Sequence, residues 1–302
     1  MRKKKTRVPA NTYEIHLTNK CNLACKYCFE KDKGKLAMDA NDIKDIVQDP
    51  ITTRLYLFGG EPMMHASFHN DLRNLIYESN APLPLKEYLW DTASSTTTNG
   101  TDVIKFPETY KELGMSFQIS IDGPKEVHDR NRVYRDGSGS FDKIMENVKE
   151  LEKNNARFEL HGVVSKNSIK DLYDILVFFF EEMEQRKGKK EAIQRLGKNT
   201  FMFVIEDDYN DDDIDLAIKE YDRFYDYLKE RLSEEEYKEA VLSIATKKGS
   251  QCGAGSNTLM LHPDGTLYPC HRGNGGGNLG DREDYTLGDS FTDNPKNTQI
   301  FN

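Results

Sequence analysis

Three of the five cysteines in this 302-residue chain fall within eight positions, as Cys21, Cys25 and Cys28. A trio so closely spaced can ligate three corners of one metal cluster. A 4Fe-4S cluster takes four thiolates, so a three-thiolate loop leaves one iron open to bind a small molecule and pass it an electron. Zinc suits the spacing less well: structural zinc takes four ligands in paired C-x-x-C or Cys/His runs, and only Cys25 and Cys28 form such a pair here. An odd number of clustered cysteines does not suit a disulfide framework either.

Further residues follow the cysteine loop in a telling order. They are Phe58-Gly59-Gly60-Glu61-Pro62, Thr98-Asn99-Gly100, Ser120-Ile121-Asp122-Gly123-Pro124, His128-Asp129, Arg132 and Gly139-Ser140-Phe141. Singly each is weak, since Gly-Gly before Pro and Asn-Gly are ordinary turns. Together with C-x-x-x-C-x-x-C they resemble the signature of the radical S-adenosylmethionine (radical SAM) enzymes, with its GGEP motif, its TNG segment and a stretch shared by its peptide- and protein-modifying members. Within that superfamily the chain is similar to the anaerobic sulfatase-maturating enzymes and related peptide maturases.

The resemblance implies a 4Fe-4S cluster on Cys21, Cys25 and Cys28 and bound S-adenosylmethionine, cleaved by one electron from a donor such as flavodoxin or ferredoxin. The 5'-deoxyadenosyl radical so formed takes hydrogen from a peptide or protein substrate, the radical chemistry belonging to the cofactor and its orientation to the protein. Gly59 and Gly60 permit close backbone approach, Glu61 can accept from the cofactor's ammonium group, and the Arg132 guanidinium fork matches its carboxylate. Ser120 and Asp122, at a strand end, can reach ribose hydroxyls. Tyr27 offers a ring edge to the adenine, and Asn99 joins these residues through the TNG resemblance. No catalytic acid or base is singled out; His128 and Asp129 read as a local capping or loop pair. The same radical start on a small-molecule substrate, or a degenerate cluster-bearing binding protein, are the competing readings.

The other two cysteines stand near the carboxyl end. Cys252, Gly265 and Cys270 resemble the opening of the SPASM domain, which carries auxiliary 4Fe-4S clusters, but no cysteine follows Cys270. Two thiolates fall short of the usual four. Cys252 and Cys270 are therefore either part of an auxiliary cluster, with His271 as a further possible ligand, or packed as small hydrophobes. The resemblance also puts His271 where the sulfatase-maturating enzymes carry an Asp that acts as a base, while the Tyr-Pro-Cys-His-Arg run looks like peptide maturases that form crosslinks or thioethers.

These residues need a scaffold that gathers them. Alternating apolar runs predict strands at Tyr13–Leu17, 54–58, 94–98, 116–121, 158–164 and 200–205, with helical periods between them: Ile43, Ile46 and Val47 after a capping Asp39; Phe68, Leu72, Leu75 and Ile76; Phe141 to Leu151; Leu172 to Phe179. Strand and helix in alternation imply βαβ units and a parallel sheet. The expected class is α/β, a closed or partly open barrel, specifically the partial (β/α)6 barrel of the resemblance, with chemistry at the carboxyl ends of the strands. Residues 1–205 are expected to form this core, 206–248 a helical linker and 249–302 a truncated SPASM-like segment. The acidic run from Glu206 to Asp213 lacks the Gly and Glu that a calcium loop needs and reads as a helix start. Net charge is -9, which disfavours general binding to nucleic acid. With no apolar run of about 20 residues and no signal peptide, a reducing cytoplasm is expected.

Overall fold

The computed structural model describes residues 11–30, 33–196, 201–204, 207–245 and 258–268, and the backbone of 288–289. Cys252, Cys270 and His271 lie outside the described residues. From the amino end come β1 (Thr12–His16), α1 (Lys44–Gln48), β2 (Arg54–Phe58), α2 (Ser67–Glu78), α3 (Leu83–Ala93), β3 (Ser95–Thr98), α4 (Pro107–Lys111) and β4 (Ser116–Ser120). After these follow α5 (Lys125–Asn131), α6 (Phe141–Lys153), β5 (Arg157–Val164), α7 (Leu172–Lys187), α8 (Lys189–Arg195) and β6 (Phe201–Phe203). The chain continues through α9 (Asp211–Arg231), α10 (Glu234–Ala245), β7 (Thr258–Leu261), β8 (Thr266–Tyr268) and β9 (Gly288–Asp289).

The strands form one sheet in the order β6-β5-β4-β3-β2-β1-β7-β8-β9. From β6 across to β7 every pair is parallel, and β8 and β9 turn back antiparallel. Strands β1 to β6 thus stand in chain order as a partial barrel, open because β6 and β9 end the sheet on opposite sides. Its two faces differ. Tyr13, Ile15, Leu17, Leu55, Leu57, Phe117, Ile119 and Leu160 are buried against the helices, with Ile144, Val148 and Leu151 of α6 and Leu172, Ile175 and Phe179 of α7 among their partners. The alternate positions, Glu14, Tyr56, Thr97, Gln118, His161 and Val163, are half-buried or exposed on the inner face. A closed barrel fills that interior with packed side chains. Here it is left as a cavity wall, which is why the strands alternate instead of running continuously apolar, as doubly covered parallel strands do.

Local signals set the helix ends. The Asp129 carboxylate accepts from Phe141 N (2.9 Å) at the start of α6, and Asn155, with φ 52, closes it in the left-handed turn common at helix ends. Asn210 caps α9, so Asp211, Asp212 and Asp213 at the end of the acidic run form its first turn, where negative charge complements the helix dipole. The expected helical linker is folded onto the barrel: Phe224, Leu228 and Ala240 share one core with Phe180 and Ile193. Helices α3, α4, α5 and α8 were not foreseen by hydrophobic period. Among the described residues no helix is long and apolar enough to cross a membrane.

Candidate active site

The cysteine loop leaves the end of β1 and lies against the segment that follows α5. Ala24 N donates to Val133 O (2.8 Å) and Lys26 N to Asn131 O (3.0 Å). Arg135 donates to Cys21 O (3.0 Å) and Lys33 Nζ to Leu23 O (2.8 Å). The loop is therefore held by hydrogen bonds to its backbone, and its three cysteines form no disulfide with one another. All three line one cavity of about 540 Å³ at the carboxyl ends of the parallel strands. Burial pushes the Cys21 thiol up to about 11, with Lys33 opposing the rise, and burial raises Cys25 likewise against the pull of Arg132. Left alone such thiols keep their protons. A metal centre supplies the positive charge that converts them to thiolate ligands, so the donor set and its setting fit a cluster.

On the same wall, Gly59 and Gly60 end β2 in a turn pressed onto the exit of β1. Gly60 N donates to Thr18 O and Glu61 N to Lys20 O, both at 2.7 Å. A Cβ on Gly60 would stand 2.4 Å from Lys20 O, and one on Gly59 2.7 Å from Thr18 O. No other residue fits this approach. Glu61 does not line the cavity. It is fully buried, and its carboxylate accepts from Met63 N (3.0 Å), Thr98 Oγ1 (2.6 Å) and Asn99 N (2.6 Å). Where the sequence suggested an acceptor for an ammonium group, the carboxylate is held by the turn it starts and by the end of β3. Asn99 does reach the wall. Its amide donates to Asn22 Oδ1 (2.7 Å) and lies 3.9 Å from Cys21 Sγ, tying the cysteine loop to β3.

Asp122 is likewise set behind the wall, as the hub for two residues that form it. The Tyr27 hydroxyl donates to Asp122 Oδ2. Arg132 Nε and Val163 N donate to Oδ1 (2.9 and 3.0 Å). The Arg132 guanidinium also stands over the Tyr27 ring, 5.4 Å from its centroid, a cation–π contact. Burial and the Asp122 carboxylate together hold the Tyr27 phenol well above its ordinary range. Asp122 N in turn donates to His128 Nδ1 (3.2 Å), so His128 Nε2 carries the proton toward Ser140 Oγ (2.9 Å), which donates to Arg132 O (2.8 Å). His128 is fully buried in this chain of bonds and helps to hold the backbone of Arg132. Tyr27, Ser120 and Arg132 line the cavity.

The structure also brings Thr97, Gln118, His161, Phe29, Glu30 and Lys33 to the cavity, none of which the motifs had marked. Thr97 Oγ1 donates to Gln118 Oε1 (3.0 Å), and Ser120 stands opposite His161 in the β4–β5 register. The available signal was the strand period: Gln118 is two residues before Ser120 on one face of β4. A second depression of about 880 Å³ also touches Cys21 and carries Lys20, Lys33, Lys35 and Arg135.

Comparison with known proteins agrees with this geometry. The sequence profile of the radical SAM superfamily matches residues 15–179. The chain is 28% identical over 280 residues to the cysteine-type anaerobic sulfatase-maturating enzyme of Clostridium novyi (strain NT), covering 84% of this chain and 71% of that one. It is 24% identical over 299 residues to the radical SAM cyclopropyl synthase TigE of Paramaledivibacter caminithermalis, covering 89% of this chain and 59% of that one. Among solved structures, anSMEcpe with bound AdoMet superposes with a TM-score of 0.63 at 20% identity, over 93% of this chain and 75% of the other. Streptococcus suis SuiB bound to the precursor peptide SuiA superposes with a TM-score of 0.53 at 16% identity, over 88% and 60%. These structural matches share the open parallel-sheet fold. The profile match spans more than half of the sequence: the chain belongs to the radical SAM superfamily and is an enzyme that works with a 4Fe-4S cluster and S-adenosylmethionine.

Proposed function

We propose that the chain modifies a peptide or protein by abstracting hydrogen from one of its carbons. The observation that carries this reading is the convergence of Cys21, Cys25 and Cys28, the Gly59-Gly60 turn, Ser120 and Arg132 on one cavity at the carboxyl ends of parallel strands. When bound, the cluster and S-adenosylmethionine supply an electron and a 5'-deoxyadenosyl radical. The chain's residues hold and orient them. The three cysteines take the cluster; the Gly59-Gly60 backbone and the Arg132 N–H groups not given to Asp122 take the amino-acid end of the cofactor; Ser120, Asn99 and Tyr27 border its nucleoside. Glu61 and Asp122 act from behind, fixing the turn and the Tyr27–Arg132 pair. A peptide substrate is supported by the 28% likeness to a sulfatase-maturating enzyme and by the open inner face, where Tyr56 is 43% and Met202 40% exposed beside the cavity. The basic depression next to Cys21 suits an acidic electron donor such as flavodoxin or ferredoxin. We keep residues 1–205 as the core, onto which the helices of 206–248 pack, with 249–302 as a shortened SPASM-like segment whose Cys252 and Cys270 lie outside the described residues.

The test is anaerobic reconstitution with iron and sulfide, then reduction in the presence of S-adenosylmethionine and candidate peptides encoded by neighbouring genes. Release of 5'-deoxyadenosine together with a change in peptide mass is the expected result. Release of 5'-deoxyadenosine with every peptide unchanged, but with a small metabolite consumed, rejects the peptide reading. Substituting Cys25 by Ala should abolish both signals.

A further inference from the structure

Outside the cofactor residues, three metal-ligating side chains meet on the far side of the Gly59 turn. His16 ends β1, Glu30 follows the cysteine loop two residues after Cys28, and His262 follows β7. The β1–β7 register pairs Ile15 with Leu261, so the next step along it sets His16 beside His262. All three residues are buried, at 0%, 3% and 1% exposure. One ligand atom from each lies within 4.8 Å of the other two, and the two imidazole rings stand 5.1 Å apart, nearly perpendicular.

We infer that His16, Glu30 and His262 form a site for one divalent transition-metal ion, zinc or ferrous iron, separate from the cysteine-held cluster. His16 Nε2 and Glu30 Oε2 are 3.6 Å apart, longer than a hydrogen bond and close to the roughly 3.4 Å edge of a tetrahedron with bonds of about 2.1 Å. Two imidazoles and one carboxylate, without sulfur, are the donors that suit zinc, iron or cobalt in the divalent state. The outer layer is present as well. His262 Nδ1 is 2.9 Å from Asp264 Oδ1 and 3.4 Å from Asp264 N, the carboxylate–histidine arrangement that orients the ring of a metal-binding imidazole. Thr266 N donates to the same Asp264 oxygen (3.0 Å), which fixes the carboxylate against the imidazole. The ion joins the end of β1, the cysteine loop and the β7–β8 hairpin, three segments far apart in sequence. Because Glu30 also lines the cavity, the hairpin is thereby clamped to the wall of the active site.

The site is tested on the full chain with its cluster reconstituted, dialysed anaerobically against cobalt(II) and then assayed for cobalt, iron and sulfide. The expected result is one cobalt per chain beyond the cluster iron, with a ligand-field spectrum that lacks a thiolate charge-transfer band. His16→Ala and His262→Ala should bind cobalt at least tenfold more weakly while retaining four irons and the wild-type circular dichroism. Asp264→Asn should weaken it about 10- to 100-fold, and His65→Ala should leave it unchanged. Cobalt binding equal in wild type and His262→Ala overturns the assignment, as does no binding beyond the cluster. Should the alanine variants not fold, X-ray absorption of the cobalt-loaded wild type decides: a shell of nitrogen and oxygen with imidazole scattering supports the site, and sulfur or water ligands alone reject it.

Discussion

Glu61 is the residue at which burial and hydrogen bonding oppose each other most directly. Burial raises its pKa from 4.5 to about 7, although Thr98, Asn99 and Met63 all donate to it. In the unfolded chain the carboxyl ionises near 4.5, so in the cofactor-free protein its contribution to stability falls as pH rises from about 4.5 through about 7, by about 3 kcal/mol. His69 and His128, lowered to about 4 by burial, act with the opposite sign: their contribution is whole above about 6.5 and is lost as pH falls toward 4. Glu61→Gln separates the two effects. The urea-derived stability of wild type minus that of the variant should be about 3 kcal/mol smaller at pH 8 than at pH 4; a difference flat with pH would mean that Glu61 ionises normally. Asp122 gives a second prediction. Asp122→Asn leaves Arg132 buried beside a neutral amide, and breaking a buried pair costs about 3–5 kcal/mol, whereas Tyr27→Phe removes one bond to a carboxylate and costs about 1.5–3 kcal/mol. Both are read from denaturant midpoints at unchanged slope. The cysteines and glycines were legible in the sequence because their chemistry demands those residue types. The settings of Glu61 and Asp122 were not, because their partners are far along the chain, Thr98 37 residues from Glu61 and Tyr27 95 from Asp122.

The alternating strands and the long helices α2, α6 and α7 could be read at the level of elements, since one buried face per element writes its period into the chain. Helices α4, α5 and α8, each of seven residues or fewer, span too few turns to display one. In α3 the apolar positions Leu83, Leu85, Leu89 and Trp90 are spread around the helix, and only Leu89 and Ala93 are buried. A closed or partly open barrel was legible from strand–helix alternation, and the resemblance specified the partial one. Its inner face, polar and unfilled, became visible only once the register placed Gln118, Ser120 and His161 together. The β2 turn carries the prediction for this scale. Because a Cβ on Gly60 would meet the Lys20 carbonyl at 2.4 Å, Gly60→Ala must push the β2 turn away from the exit of β1, and such overpacking costs about 1–3 kcal/mol. The displaced turn also bears the backbone assigned to the cofactor. Anaerobic equilibrium dialysis should therefore show S-adenosylmethionine bound at least tenfold more weakly, with four irons still present; unchanged affinity would remove the turn from the cofactor site.

Among the described residues, two clusters of buried side chains on the helix-covered face of one sheet hold the molecule together. One gathers Phe117, Ile144, Phe180, Phe224 and Leu228; the other gathers Ile15, Leu57, Phe68 and Leu72, with Trp90 packed against it. The division at residue 205 drawn from composition treats α9 and α10 as a linker, whereas their apolar faces complete the first cluster: Phe224 is 1% exposed, with its ring edge-on to Phe180 at 6.5 Å and stacked on Tyr227 at 6.0 Å. Composition registered the change to charged sequence but carried no information about where the buried stripe of α9 docks. If barrel and helices form one cooperative unit, damage at Phe224 must be felt at the opposite end of the sheet. Trp90 is the only tryptophan of the chain, so its fluorescence reports the second cluster alone. Phe224→Ala is expected to cost about 3–5 kcal/mol, a large fraction of the total stability of a protein. It should move the urea midpoint of Trp90 fluorescence as far as that of far-ultraviolet circular dichroism, in one coincident transition. A fluorescence midpoint left in place while the dichroism splits into two steps would show α9 and α10 to be a separate folding unit beside the barrel.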